Sequence, residues 1–135
     1  MYEIRVEAGF AAAHFLRDYN GKCENLHGHN YTVRAHVRGG KLDSGGMLID
    51  FARLKAALRA VCKRLDHTNL NDIPEFGMNP SAERIARFIY DGVAAELEES
   101  CADGFRGDAQ DGAARLYAVD VFETETSRAR YVPFP

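Results

Sequence analysis

Two stretches of alternating residues restrict the fold of this chain more than any other feature. Ile4, Val6, Ala8, Phe10, Ala12 and His14 share one parity, while Glu3, Arg5 and Glu7 have the other. Period two predicts a half-buried strand over 2–14. The pattern returns over 29–38, with His29, Tyr31, Val33, Ala35 and Val37 on one face and Asn30, Thr32, Arg34, His36 and Arg38 on the other. The polar residues 16–26 between them, with Asn20-Gly21 as a turn signal, read as a loop. Gly39-Gly40 breaks the second run and Ser44-Gly45-Gly46 marks a turn.

The period then changes. Phe51, Leu54, Leu58, Val61 and Leu65 recur at helical spacing behind Asp50, a good N-cap. The polar segment 66–72 ends this helix. A second helix starts near Asn79-Pro80-Ser81, where proline suits the first turn and Glu83 suits the positive end of the dipole. Its apolar stripe is Ala82, Ile85, Ala86, Ile89, Val93 and Leu97. Residues 100–113 read as a mobile loop. Leu116 to Phe122 and Arg128 to Val132 predict a closing pair of strands. Two strands, two helices and two strands make an α+β fold with a four-stranded antiparallel sheet. Such an open sheet leaves free edges, which closure of a barrel between subunits removes.

The 135 residues form one domain, 1–135, long enough to bury a core without staples. A hydrophobic fraction of 46% and a net charge of −3 suit a soluble protein and give no reason to expect nucleic acid or an anionic membrane as partner. The start Met1-Tyr2-Glu3-Ile4-Arg5 has no apolar signal core, and no run reaches transmembrane length, so a cytoplasmic location is expected. Three cysteines, an odd and sparse count, argue against a disulfide framework. Cys62 falls in a helical pattern as a small packing residue, and Cys101 receives no role. Only Cys23 stands beside other reactive groups.

Those groups are His14 and the run Cys23-Glu24-Asn25-Leu26-His27-Gly28-His29. Neutral imidazoles suit zinc, and three protein ligands leave a fourth position open, as in catalytic sites. In an extended chain His27 and His29 project to one face, roughly 6–7 Å apart. Gly28 between them lets another segment or a ligand approach. A His-x-His pair alone is a weak metal signal; the third histidine and the nearby cysteine strengthen it. His36, on the opposite face from His29, reads as structural or exposed.

Six blocks in order resemble the 6-pyruvoyltetrahydropterin synthase / 6-carboxytetrahydropterin synthase family. They are Phe10-Ala11-Ala12-Ala13-His14, Cys23 to Tyr31, Gly46-Met47-Leu48-Ile49-Asp50-Phe51, Leu65 to Asn71, Asn79-Pro80-Ser81-Ala82-Glu83 and Phe122-Glu123-Thr124. The resemblance implies a tunnelling fold (T-fold), with trimers closing a barrel, two trimers stacking into a homohexamer and active sites lying between subunits. It implies Zn2+ bound by His14, His27 and His29. It also implies that Cys23 is the catalytic thiol, that Asp66-His67 is the acid–base pair, and that Glu123 anchors the pterin through paired hydrogen bonds. Without the resemblance, Asp66-His67 reads as a polar helix end and Glu123 as a solvated strand end.

The substrate implied by the resemblance is 7,8-dihydroneopterin triphosphate. The short C-x-x-x-H-G-H spacing resembles the branch that makes 6-carboxy-5,6,7,8-tetrahydropterin for queuosine and other deazapurines, releasing acetaldehyde and triphosphate. Glu24 also gives E-x-x-H-G-H, which resembles the branch making 6-hydroxymethyl-7,8-dihydropterin for folate synthesis; Glu24 is an alternative base, for that activity alone or for a dual one. The 6-pyruvoyl reaction and a non-enzymatic, zinc-held pterin-binding scaffold stay open as well. The sequence does not single out the triphosphate contacts, although Arg17 and Lys22 lie in the right loop, and imidazole also accepts divalent ions other than zinc. Ser81 and Glu83 organise the first turn of the second helix.

Overall fold

The computed structural model describes residues 1–17, 21, 25–77, 79–98, 105–107 and 111–133. Strand β1 spans Tyr2–His14 and strand β2 spans His27–Gly39, paired antiparallel over their whole length. Helix α1, Phe51–Leu65, follows; the Asp50 side chain accepts the Ala52 N–H at 2.9 Å and caps it as expected. Helix α2 runs Ala82–Glu98, and strands β4, Arg115–Thr124, and β5, Ser127–Tyr131, close the sheet.

The α+β reading holds, with one addition. Thr68–Asn69 forms a two-residue strand, β3, parallel to β1 opposite Ala12 and Ala13, so the sheet has five strands in the order β3-β1-β2-β4-β5. Two residues are too few to show a period, so the pairing has no signature in the sequence. The sheet does not close on itself: β5 is one edge, and β3 covers only the last part of β1 at the other.

Both helices lie on one sheet face. Val6, Phe10, Tyr31, Val33, Ala35 and Val37 meet Leu54, Leu58, Val61, Ile85, Ile89 and Val93 in the core. The helices approach closely at Gly92, where an added Cβ would come within 2.9 Å of both Val61 methyls. Helix α2 begins at Ala82, so Pro80, expected in its first turn, lies just outside it. Ser81 caps it, its hydroxyl accepting the Arg84 N–H at 3.3 Å, and Pro80 precedes the cap. Cys62 is a buried packing residue; burial first, and the Asp66 charge second, push its thiol up to about 12.

The opposite sheet face is polar. Glu3, His36, Asp120 and Arg130 form a row across β1, β2, β4 and β5. The His36 ring meets Glu3 at 3.1 Å through Nδ1 and Asp120 at 2.6 Å through Nε2. Arg130 donates to both Asp120 oxygens, at 2.7 and 3.0 Å. Burial alone would raise the Asp120 carboxyl, but the hydrogen bonds from Arg130 and His36 outweigh it and hold it below the usual range. His36 is therefore structural and buried. Among the described residues, no helix is long and apolar enough to cross a membrane.

Candidate metal centre and active site

Strand register gathers the three histidines. His14 ends β1 directly opposite His27, the first residue of β2, and His29 lies opposite Ala12. All three project from the helix-covered face. Their ring centroids lie 4.5 to 5.2 Å apart, and one ligand atom from each falls within 4.8 Å of the others.

The outer nitrogens are already committed. His14 Nδ1 lies 2.9 Å from the Pro80 carbonyl and His27 Nδ1 lies 2.6 Å from the Asn25 carbonyl. A carbonyl only accepts, so each Nδ1 carries the proton and each Nε2 presents a lone pair. This is the arrangement in which a backbone carbonyl orients a metal-binding imidazole. The Nε2 atoms of His14 and His29 are buried without a hydrogen-bond partner. Orphaned buried nitrogens of this kind are rare, and two of them in one three-imidazole cluster fit a cation such as Zn2+. Burial first, then the neighbouring His14 and His27, holds the His29 imidazole below its usual range, against the opposing pull of Glu123. A neutral ring is the form a metal requires.

Glu123, near the end of β4, reaches the same point. Its Oε1 lies 3.3 Å from His14 Nε2 and 3.9 Å from His29 Nε2. The chain leaving His14 is held by two asparagines that the sequence reading did not single out. The Asn71 side chain pairs with the backbone N–H and C=O of Phe15 at 2.9 and 3.0 Å, and Asn79 does the same for Arg17 at 2.6 and 3.1 Å. Each amide imitates a strand partner. Their only sequence signal was membership of the motif blocks.

Asp66 and His67 stand apart from this cluster. His67 precedes β3 and lies level with Ala11, so it sits on the far side of β1 from β2 and three residues short of His14. That is roughly 10 Å along the strand. Asp66 Oδ1 accepts the Ala11 N–H at 2.9 Å, the His67 N–H reaches the Ala11 carbonyl at 2.7 Å, and His67 Nδ1 lies 2.9 Å from Asp66 Oδ2. The Ala11 N–H first, and His67 second, hold the Asp66 carboxyl below its usual range. His67 has φ of 57°, in the left-handed region, and its side chain is 84% exposed. A non-glycine residue held there stores about 1–3 kcal/mol of strain, which is common where a side chain must be aimed. Cys23 and Glu24 lie outside the described residues. A groove of about 700 Å³ between α1 and α2, floored by Phe76 and Phe88, shares no residue with the histidine cluster.

The α+β sheet thus carries three converging imidazoles that could hold a metal ion, a carboxylate beside them and a separate Asp-His pair, groups of the kind acid–base chemistry uses. A family model for 6-pyruvoyl tetrahydropterin synthase matches residues 3–133. The chain belongs to the 6-pyruvoyl tetrahydropterin synthase family, and its class of activity is that of a pterin synthase lyase. It is 39% identical to the 6-carboxy-5,6,7,8-tetrahydropterin synthase of Synechocystis sp., over 97% of this chain and 93% of that one. It is 36% identical to the enzyme of the same name from Bacillus subtilis, over 98% and 86%. The solved structure of Caenorhabditis elegans 6-pyruvoyl tetrahydropterin synthase superposes with a TM-score of 0.78 at 26% identity, covering 98% of this chain and 96% of that one. The fold is thus that of the T-fold pterin synthases.

Proposed function

We propose that residues 1–135 form one catalytic domain converting 7,8-dihydroneopterin triphosphate to 6-carboxy-5,6,7,8-tetrahydropterin, with release of acetaldehyde and triphosphate, in a deazapurine route. The observation that carries this reading is the convergence of one ligand atom each from His14, His27 and His29, with Glu123 beside His14 and His29. The names of the relatives from Synechocystis and Bacillus subtilis support the carboxy reaction.

In this reading the three histidines hold Zn2+. When bound, zinc supplies Lewis acidity toward the substrate's side-chain oxygens and acidifies the neighbouring C–H bonds. Glu123 receives the N–H edge of the pterin in a paired hydrogen bond. Cys23 takes a proton as thiolate. His67, oriented by Asp66, passes protons near neutral pH.

The position of Asp66-His67 at the sheet edge supports a site built from two chains. An edge residue on one subunit is the natural neighbour of the histidine cluster of the next, and closing open sheets edge to edge removes their unpaired strands. The assembly we infer is a homohexamer of two trimers, acting in the cytoplasm without nucleic acid or membrane.

Mass analysis of the products from zinc-loaded protein and dihydroneopterin triphosphate tests the reaction. The carboxy reading expects 6-carboxytetrahydropterin, lost in Cys23→Ala and kept in Glu24→Ala. A 6-hydroxymethyl product that depends on Glu24 would overturn it in favour of the folate branch. A 6-pyruvoyl product would do so in favour of the third branch. Pterin binding without any turnover would favour the scaffold.

A further inference from the structure

We propose that Tyr31 is a positioning residue whose hydroxyl donates to the Glu123 carboxylate and sets the orientation in which that carboxylate receives the pterin. The inference rests on the pterin reading above and adds a residue to it.

Tyr31 is 2% exposed and its hydroxyl oxygen is buried with no hydrogen-bond partner. Leaving a buried hydroxyl unpaired costs about 1–3 kcal/mol, and nothing in packing demands the oxygen. The ring is held by its faces and edges. It stacks on Phe10 at 4.7 Å and meets the His29 and His14 rings edge-on at 5.5 and 6.0 Å. Phenylalanine would fill the same space. A tyrosine here leaves a donor in a site whose other orphans are the two imidazole nitrogens.

The position of Glu123 identifies the acceptor. Thr32–Phe122 is the last paired position of β2 and β4, and Glu123 follows it at an irregularity in β4; its approach to His14 places its carboxylate on the helix-covered face with Tyr31. Glu123 reaches past β2 to His14 on β1, which carries its carboxylate over the strand that bears Tyr31. A phenol is protonated at neutral pH and can donate one hydrogen bond. The Nε2 lone pairs of His14 and His29 suit a metal, and a metal would remove them as acceptors. In this structure the phenol and the carboxylate are not hydrogen-bonded; with the imidazoles occupied, Glu123, which already approaches His14 and His29, is the acceptor a side-chain rotation would bring to the phenol. A phenol-to-carboxylate hydrogen bond is charge-assisted and directional. It would restrict a flexible glutamate to the one rotamer that faces the ligand, reducing the ordering cost of binding.

Tyr31→Phe removes one oxygen and keeps the ring. The probe is oxidised neopterin, titrated by its fluorescence into the full-length zinc-loaded protein. We expect the Kd to rise about tenfold or more, with zinc affinity by chelator competition unchanged and Tm not lowered. In a Glu123→Ala background the same change should have no further effect on Kd. Neopterin binding as tight as wild type in Tyr31→Phe overturns the proposal, as does an equal loss in both backgrounds. A second measurement leaves Tyr31 intact: the tyrosine Raman doublet of wild type minus Glu123→Ala should show one donating phenol lost, and a flat difference overturns the proposal. Wild-type protein that does not bind neopterin is a separate failure, because it removes the pterin reading itself.

Discussion

His14 Nδ1 lies 2.9 Å from the carbonyl oxygen of Pro80, which ties the end of β1 to the start of α2. This one bond selects the tautomer and aims Nε2 into the cluster. His27 is held in the same way by Asn25. Loss of an orienting partner alone typically weakens metal binding 10–100-fold, so loss of a ligand should weaken it by at least about 100-fold. We predict that His14→Ala and His27→Ala purify with little zinc by elemental analysis. A chelator should lower the Tm of wild type but not of these variants. Full zinc occupancy in His14→Ala would exclude the three-imidazole site.

The separation of His67 from the imidazoles within one chain predicts complementation. His67→Asn, which tolerates the left-handed backbone, should lose about 10²–10⁴-fold in kcat while keeping zinc and neopterin. Glu123→Ala should lose most of its activity through pterin binding that is weakened but still measurable. Co-refolded in equal amounts, the two impaired variants should regain about a quarter of wild-type activity, because random assembly into a closed oligomer leaves that share of shared sites intact. No regain in verified mixed oligomers would mean that each site belongs to a single chain.

Gly92 permits the close crossing of α1 and α2 at Val61. Gly92→Ala gains up to about 1 kcal/mol of helix propensity. Overpacking against a fully buried valine costs about 1–3 kcal/mol. The clash should win, so Tm should fall. Adding Val61→Ala should recover part of the loss in a double-mutant cycle. A higher Tm for Gly92→Ala alone would show that the helices can shift apart freely.

Asp120 predicts an acid-linked loss of stability. Its folded-state carboxyl sits below the unfolded value, so its contribution is complete above the ordinary aspartate range and disappears as pH falls through the depressed value. Asp120→Asn leaves Arg130 and His36 without their charged partner and should cost about 3–5 kcal/mol at neutral pH. The gap in Tm between wild type and variant should narrow below about pH 4. A gap that is constant from pH 7 to pH 3 would contradict this linkage.

Periodicity made β1, β2, both helices and the closing strands legible, because each is long enough for one face to differ from the other. The chemistry-bearing residues were legible as types in blocks: imidazoles, a carboxylate and a thiol at the spacing of a known family. Asn71, Asn79 and the Pro80 carbonyl were not, since their roles consist of backbone contacts across 56 to 66 residues of chain. The left-handed φ of His67 and the two-residue β3 likewise follow from docking against Ala11 and Ala12, not from local preference.

By itself the sequence determined which residues alternate, which recur at helical spacing, and which side chains are able to bind a metal or move a proton. These are local or compositional properties. Tertiary structure alone decided that His14 and His27 face each other in register, that Glu123 reaches the same point from two strands away, and that Asp66-His67 sits at a sheet edge. Strand order and register arise from burying one face of every strand against the same two helices. That requirement acts between segments far apart in the chain, so no single segment can express it.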